Sequence, residues 1–157
     1  MPTRTKEAAA ETPRVSPVPS SLSCRCKSQA LDYYRRAFNA EEVSRLDAPD
    51  GRIMHACLLI NGAHVMLSDE FEGMGVSPAA LGGSPVAIHL IVDDADAWAR
   101  RAEQAGGTIT MPVAEQFWGA RYGTVRDPFG HQWSLSTPVR TLTPAELAEA
   151  ARAATSG

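Results

Sequence analysis

Cysteine is scarce, with Cys24, Cys26 and Cys57 the only three in 157 residues. An odd count without framework spacing argues against a secreted disulfide scaffold and fits a reducing cytoplasm. Cys24-x-Cys26 has no second ligand pair of the kind structural zinc needs, so it reads as two thiols at a strand end. Positive charge is not in excess: 15 Lys and Arg stand against 18 Asp and Glu, for a net charge of −3. Without a basic stripe to neutralise phosphates, nucleic acid is not an expected partner. Long apolar runs are missing too, and none approaches the roughly 18 residues that span a bilayer, so no membrane partner is expected. The opening MPTRTKEAAAETPR lacks an apolar segment of signal-peptide type, and residues 1–17 read as a disordered leader.

What the chain does have is ordinary globular material, 44% hydrophobic and 21% charged, enough to bury a core. VPSSLSCRC is a weak strand that Pro19 confines to an edge or a strand start. In SQALDYYRRAFNA, Ala30, Leu31, Tyr34 and Phe38 recur at helical spacing, with Ser28 as N-cap and Asn39 at the end. Three strand-like runs follow, 41–47, 52–60 and 63–70. Asp50-Gly51 and Asn61-Gly62 separate them as tight-hairpin signals in which both central residues can take positive φ.

Residues 71–85 are rich in Gly and Pro and read as a linker or mobile cover. The order then recurs. VAIHLIVDD (86–94) is a strand. DADAWARRAEQAGG (94–107) is a helix whose shared face is Ala97, Trp98, Arg101, Ala102 and Ala105, with Gly106-Gly107 as its stop. A strand, a loop and the hairpin RYGTVRDPFGHQWSLS complete a second β-α-β-β-β unit. Equal element order at equal spacing is an internal-repeat signal. In TPAELAEAARAA, Thr143 is an N-cap with Pro144 in the first turn and Glu146 at N3.

The stretches ALDYYRRAFNAEEVSRL, HACLLINGAHVMLSDE, VAIHLIVDDADAWARRAEQAGG and FWGARYGTVRDPFGHQWSLSTPVRTLTPAEL carry a resemblance. The chain resembles the vicinal oxygen chelate (VOC) superfamily, and within it the PhnB-like glyoxalase/bleomycin-resistance proteins. The resemblance implies an α+β fold of two βαβββ modules with curled mixed sheets around a small-molecule cavity, plus a C-terminal helix. The divisions are a leader 1–17, a VOC domain 18–138 (module one 18–70, linker 71–85, module two 86–138) and a helix and tail 139–157.

Glyoxalase-type members of the superfamily hold a divalent metal with four side chains, on the first and fourth strands of each module. The corresponding positions here are Ser21, Met66, His89 and Ser134. His89 alone is a strong donor, and a thioether with two hydroxyls cannot supply the charge an oxygen-preferring cation needs. A displaced site from His64, His89 and Glu70 is permitted, though no spacing is diagnostic of it. His55 and Cys57 share a strand face, with Cys57 read as a buried thiol.

The expected cavity wall is His64, Met66, His89, Trp118, Arg121, Tyr122 and Ser134. In it Phe117-Trp118-Gly119 forms a rim, and Arg121 either holds an anionic group or pairs with Asp127 or Glu115. Asp127 reads as a turn residue, in Asp127-Pro128-Phe129-Gly130. The function expected is binding of a small organic ligand by a cytoplasmic homodimer without a resident cofactor. The alternatives are a glyoxalase-type lyase, isomerase or dioxygenase using Zn, Ni, Fe or Mn, and a dimeric interaction protein without chemistry.

Overall fold

The structure, a computed structural model, describes residues 16–157. The leader assigned to 1–17 lies outside those residues except for its last two. Twelve elements follow in the expected order. Module one is β1 (Ser20–Cys24), α1 (Ser28–Phe38), β2 (Glu41–Asp47), β3 (Ile53–Ile60) and β4 (Ala63–Asp69). After the one-turn helix α2 (Pro78–Leu81) comes module two: β5 (Ala87–Ile91), α3 (Ala95–Gln104), β6 (Thr108–Glu115), β7 (Ala120–Arg126) and β8 (Gln132–Pro138). Helix α4 (Pro144–Thr155) ends the chain.

The modules share one topology. Their strand orders are β1-β4-β3-β2 and β5-β8-β7-β6, two four-stranded sheets that do not close into a barrel. In each, the first and fourth strands run parallel and the remaining pairs antiparallel. A parallel pair needs a crossover of a dozen or more residues, and here a helix and two strands supply it.

A single buried cluster joins both halves: Leu22, Leu58, Val65 and Leu67 from the first sheet, Leu90, Val125, Trp133 and Leu135 from the second, and the buried faces of α1 and α3. Tyr34 and Phe38 of α1 pack on Trp133, with ring centroids 5.4 and 4.7 Å apart, so the first helix helps to cover the second sheet. Burial of these rings is the main cohesive force between modules.

Several local expectations are corrected. Helix α1 is not capped by Ser28, its first residue; Lys27 occupies the cap at φ 47° without a side-chain bond, and Asn39 ends the helix left-handed as expected. The Asn61-Gly62 turn has both residues at positive φ, 49° and 79°. At Asp50-Gly51 only Gly51 does, because Ala48 and Arg52 close a wider turn there. Helix α3 buries Ala102 of the expected face, with Trp98 and Ala105 partly buried against the core, and adds Ala95 and Ala99, so the buried face is rotated toward those two. Asp94 caps it by accepting from Ala97 N.

Residues 71–85 are mostly exposed and anchored at the start of α2. Ser77 is fully buried and caps α2, and its amide donates to Glu70 Oε1 at 2.6 Å. Helix α4 has the expected capping box of Thr143 and Glu146, and it buries no residue. Cys24 and Cys26, read as separate thiols, are joined as a disulfide at the β1–α1 corner.

Candidate functional site

Strand register assembles the site two residues at a time. In the first sheet Ser21 lies opposite Met66, Met66 opposite Cys57 and Cys57 opposite Ser44. In the second, His89 lies opposite Ser134, Ser134 opposite Thr124 and Thr124 opposite Met111. Alternation puts both rows on the faces turned from the common core, because Leu22, Val65, Leu67, Leu90, Trp133 and Leu135 point the other way. The four positions singled out by family resemblance therefore fall into two register pairs, one per sheet.

The second sheet has the richer face. His89 Nδ1 lies 2.7 Å from the Oγ of Ser134, whose side chain is buried. Tyr122 stacks beside the imidazole at 6.1 Å between centroids. Trp118 meets Tyr122 edge-on at 5.5 Å, and Phe117 meets Trp118 edge-on at 5.0 Å. Ser136, also buried, lies opposite Tyr122 in register. The result is a strip of aromatic surface with hydroxyls at its base, and Trp118 is 38% exposed at its rim.

The rim is built by a tight turn. Gln116 N donates to Ala120 O and Gly119 N to Gln116 O, with Gly119 at φ 89°, a conformation that favours glycine. Val139 N and Arg140 N both donate to Gly119 O, so the chain leaving β8 holds the turn from behind. Phe117-Trp118-Gly119 is a braced hairpin tip, not a free flap.

Arg121 is placed elsewhere than expected. Its Nε and Nη2 reach Asp96 Oδ2 and Oδ1 at 2.7 and 2.9 Å, a two-pronged pair with the first turn of α3. It pairs with neither Asp127 nor Glu115. The pairing holds the Asp96 carboxyl below its usual range, first through the Arg121 hydrogen bond. Strand alternation puts Arg121 on the helix side and Tyr122 and Thr124 on the ligand side. Thr124 was not anticipated, although its place two residues after Tyr122 was the signal for it; its hydroxyl lies 2.7 Å from that of Thr110.

On the first sheet His64 Nδ1 accepts from Ser16 N at 3.2 Å. Cys57 is buried and burial alone pushes its thiol pKa up, which keeps it protonated and poorly nucleophilic. Glu70 is occupied by Arg25 and by Ser77 N. His64, His89 and Glu70 do not come together: among the described residues the one group of three potential donors is Cys24, Cys26 and Asp69. The residues present at the superfamily's ligand positions do not fit a divalent metal. They offer one imidazole, one thioether, two hydroxyls and no carboxylate. Ser21 lines a cleft of about 310 Å³ at the module junction, together with Ser23, Pro78, Ile88 and His131.

Asp127 is structural. Its Oδ1 accepts from Phe129 N and His131 N, and its Oδ2 from Tyr34 Oη and Trp133 Nε1. Asp69, at the end of β4, holds the β1–α1 corner of module one, accepting from Cys26 N, Lys27 N and Ile53 N.

With two βαβββ modules, matching sheet orders and these paired positions, the chain belongs to the Glyoxalase/Bleomycin resistance protein/Dioxygenase superfamily, whose model matches residues 27–135. It is 48% identical over 124 residues to the uncharacterized protein Rv0887c of Mycobacterium tuberculosis, covering 76% of this chain and 73% of that one. Among solved structures it is similar to TioX from Micromonospora sp. ML1 (TM-score 0.63, 27% identity, 78% of this chain and 98% of that one). The PhnB protein from Bacillus cereus shares the fold at a TM-score of 0.54 and 18% identity, covering 78% of this chain and 99% of that one.

Proposed function

We propose that this protein binds a small organic molecule with a planar or aromatic part on the face of β5, β7 and β8, without a resident metal. Two copies act as a homodimer in the cytoplasm. The observation that carries the reading is the His89–Ser134 hydrogen bond inside a row of Tyr122 and Trp118. That arrangement fixes the imidazole in the wall with Nε2 left to meet a guest, puts no carboxylate beside it, and leaves aromatic surface for a ligand. Rings supply contact area at low entropic cost, and His89, Ser134 and Tyr122 can orient the guest with a few hydrogen bonds.

The dimer is supported by surfaces that a single chain leaves bare. All seven residues of edge strand β2 are exposed, Val43 and Leu46 included, and α4 buries nothing. Uncovered strand edges are commonly shielded by a second copy. His64 and Met66, on the first sheet, would form a second wall.

Elemental analysis of the purified chain and a titration followed by Trp118 fluorescence test the reading. A panel of aromatic acids, aldehyde adducts and glycopeptides should include a compound that binds equally well in chelator, with the signal lost in Trp118→Phe. Stoichiometric Zn, Ni, Fe or Mn, with binding or turnover abolished by chelator and by His89→Ala, would overturn it in favour of a metal-dependent enzyme.

A further inference from the structure

We propose that Cys24 and Cys26 form a reversible dithiol–disulfide couple, a redox-modification site separate from the ligand face. Two observations carry it. The two sulfurs are in bonding contact across a single intervening residue, with Cα atoms 5.5 Å apart, and Cys57 lies on another strand. Cys26 lines a cavity of about 530 Å³, together with Arg25, Lys27, Gln29 and Arg52, which gives a reagent a way in to a residue that is otherwise buried. Arg25, Lys27 and Arg52 border the cavity alongside the carboxylates of Asp69 and Glu70, so an incoming thiolate meets cations at its mouth.

A metal is the competing occupant, since Asp69 joins the two sulfurs in a three-donor group. Its carboxylate is already committed. Oδ1 accepts from Cys26 N and Lys27 N at 2.9 and 3.0 Å, and Oδ2 from Ile53 N at 2.7 Å. Both lone pairs of Oδ1 are engaged, so a cation beside the sulfurs would compete with the Cys26 and Lys27 amides for it, whereas a disulfide leaves every one of these bonds intact. A bridge closing so short a loop also constrains the unfolded chain little, so folding does not hold it strongly against reduction.

The exchange balances with a thiol as reductant. A thiolate attacks Cys26 Sγ, the Cys24–Cys26 bond breaks, and Cys24 leaves as a thiolate that takes a proton. A second thiolate attacks the mixed disulfide and Cys26 leaves in turn. The sum is one protein disulfide and two thiols giving two cysteine thiols and one external disulfide. The reductant is either a low-molecular-weight thiol small enough for the cavity or a protein dithiol. Next to Cys24, Ser23 O lies 3.0 Å from His131 Nε2 and ties β1 to the second module.

The test uses the full chain equilibrated in graded ratios of reduced and oxidised dithiothreitol, then unfolded in excess alkylating agent and weighed. The expected result is a transition between one and three alkylated cysteines, identical when approached from either side. Cys57→Ser keeps the transition, shifted to zero and two, while Cys24→Ser and Cys26→Ser abolish it. Reduction rates with glutathione and with a thioredoxin-type dithiol then distinguish the two sources. Three alkylated cysteines across the whole range, or one across the whole range, would overturn the proposal. So would one equivalent of zinc that survives dialysis on the reduced chain and shields both cysteines from alkylation.

Discussion

The phenol of Tyr34 and the carboxylate of Asp127, 93 residues apart, meet at 2.5 Å in the buried core. Asp127 collects three further donors there, two turn amides and the Trp133 indole. One carboxylate thus ties α1 of the first module to the final hairpin of the second. Tyr34→Phe leaves Asp127 three donors and should cost about 1–3 kcal/mol. Asp127→Ala strands four donors and should cost about 3 kcal/mol or more. Urea unfolding of both variants measures the difference.

The same contact sets an alkaline limit. Burial, then the Asp127 charge and hydrogen bond, raise the Tyr34 pKa well above its ordinary value. Above about pH 10 an unfolded tyrosine releases its proton while the native one keeps it, so the unfolded state binds fewer protons and stability falls as pH rises. Tyr34→Phe should flatten that decline by one proton, read from urea midpoints between neutral and alkaline pH.

Glu70 sets an acid limit on the α2 segment. Hydrogen bonds from Ser77, then from Arg25, lower its carboxyl to about 2. A depressed carboxylate stabilises the native state above its unfolded pKa of about 4.3, and that contribution is lost as pH falls toward the native value. The Ser77 amide resonance should therefore hold its position through pH 4 and shift only near pH 2. Glu70→Gln should move it at neutral pH.

Arg121 separates stability from binding. Its pair with Asp96 is a little over one-third exposed, so Arg121→Ala should cost less than about 1 kcal/mol. A double-mutant cycle with Asp96→Ala should recover that coupling. Ligand affinity should stay within about twofold of the wild type, whereas Tyr122→Ala and His89→Ala should each weaken it about tenfold, a loss of about 1.4 kcal/mol. Fluorescence titration decides between them.

Gly123 sits in the middle of β7 where the irregular stretch of β6 leans in. A Cβ there would lie 2.7 Å from Val113 Cγ2 and 2.9 Å from Met111 O. Gly123→Ala should cost about 1–3 kcal/mol by overpacking, visible as a lower urea midpoint at unchanged slope.

Helix α4 should matter to assembly alone. Because Val139 and Arg140 brace Gly119, the informative truncation falls after Leu142. The shortened chain should keep its unfolding midpoint and lose mass in light scattering.

Much of the fold was legible along the chain because strands and helices announce themselves through nearest-neighbour chemistry. Alternation marked β5 and β8, Asn61-Gly62 marked a turn, and Thr143 with Glu146 marked a helix start. Local signals failed where a distant partner took over. Ser28 looked like a cap, but the corner at Lys27 is held by Asp69 from β4. The buried face of α3 was only partly read: Ala102 belongs to it, but Trp98 lies at its margin, stacked on Phe38 of the other module, and Ala95 and Ala99 fill the centre. Arg121 was left between a ligand anion and a pair with Asp127 or Glu115, because nothing nearby in sequence showed Asp96 beneath it.

Residue order alone pointed to two βαβββ units, and its resemblance to the superfamily marked the positions where relatives hold a cation and this chain has no carboxylate. Spacing and side-chain chemistry are properties of short segments, so they survive without a fold. The pairing of His89 with Ser134, the stacking of Tyr122 on His89, and the meeting of Cys24 and Cys26 beside Asp69 came only with the tertiary structure. Those contacts depend on sheet register and strand curvature, which are set by the burial of the whole core.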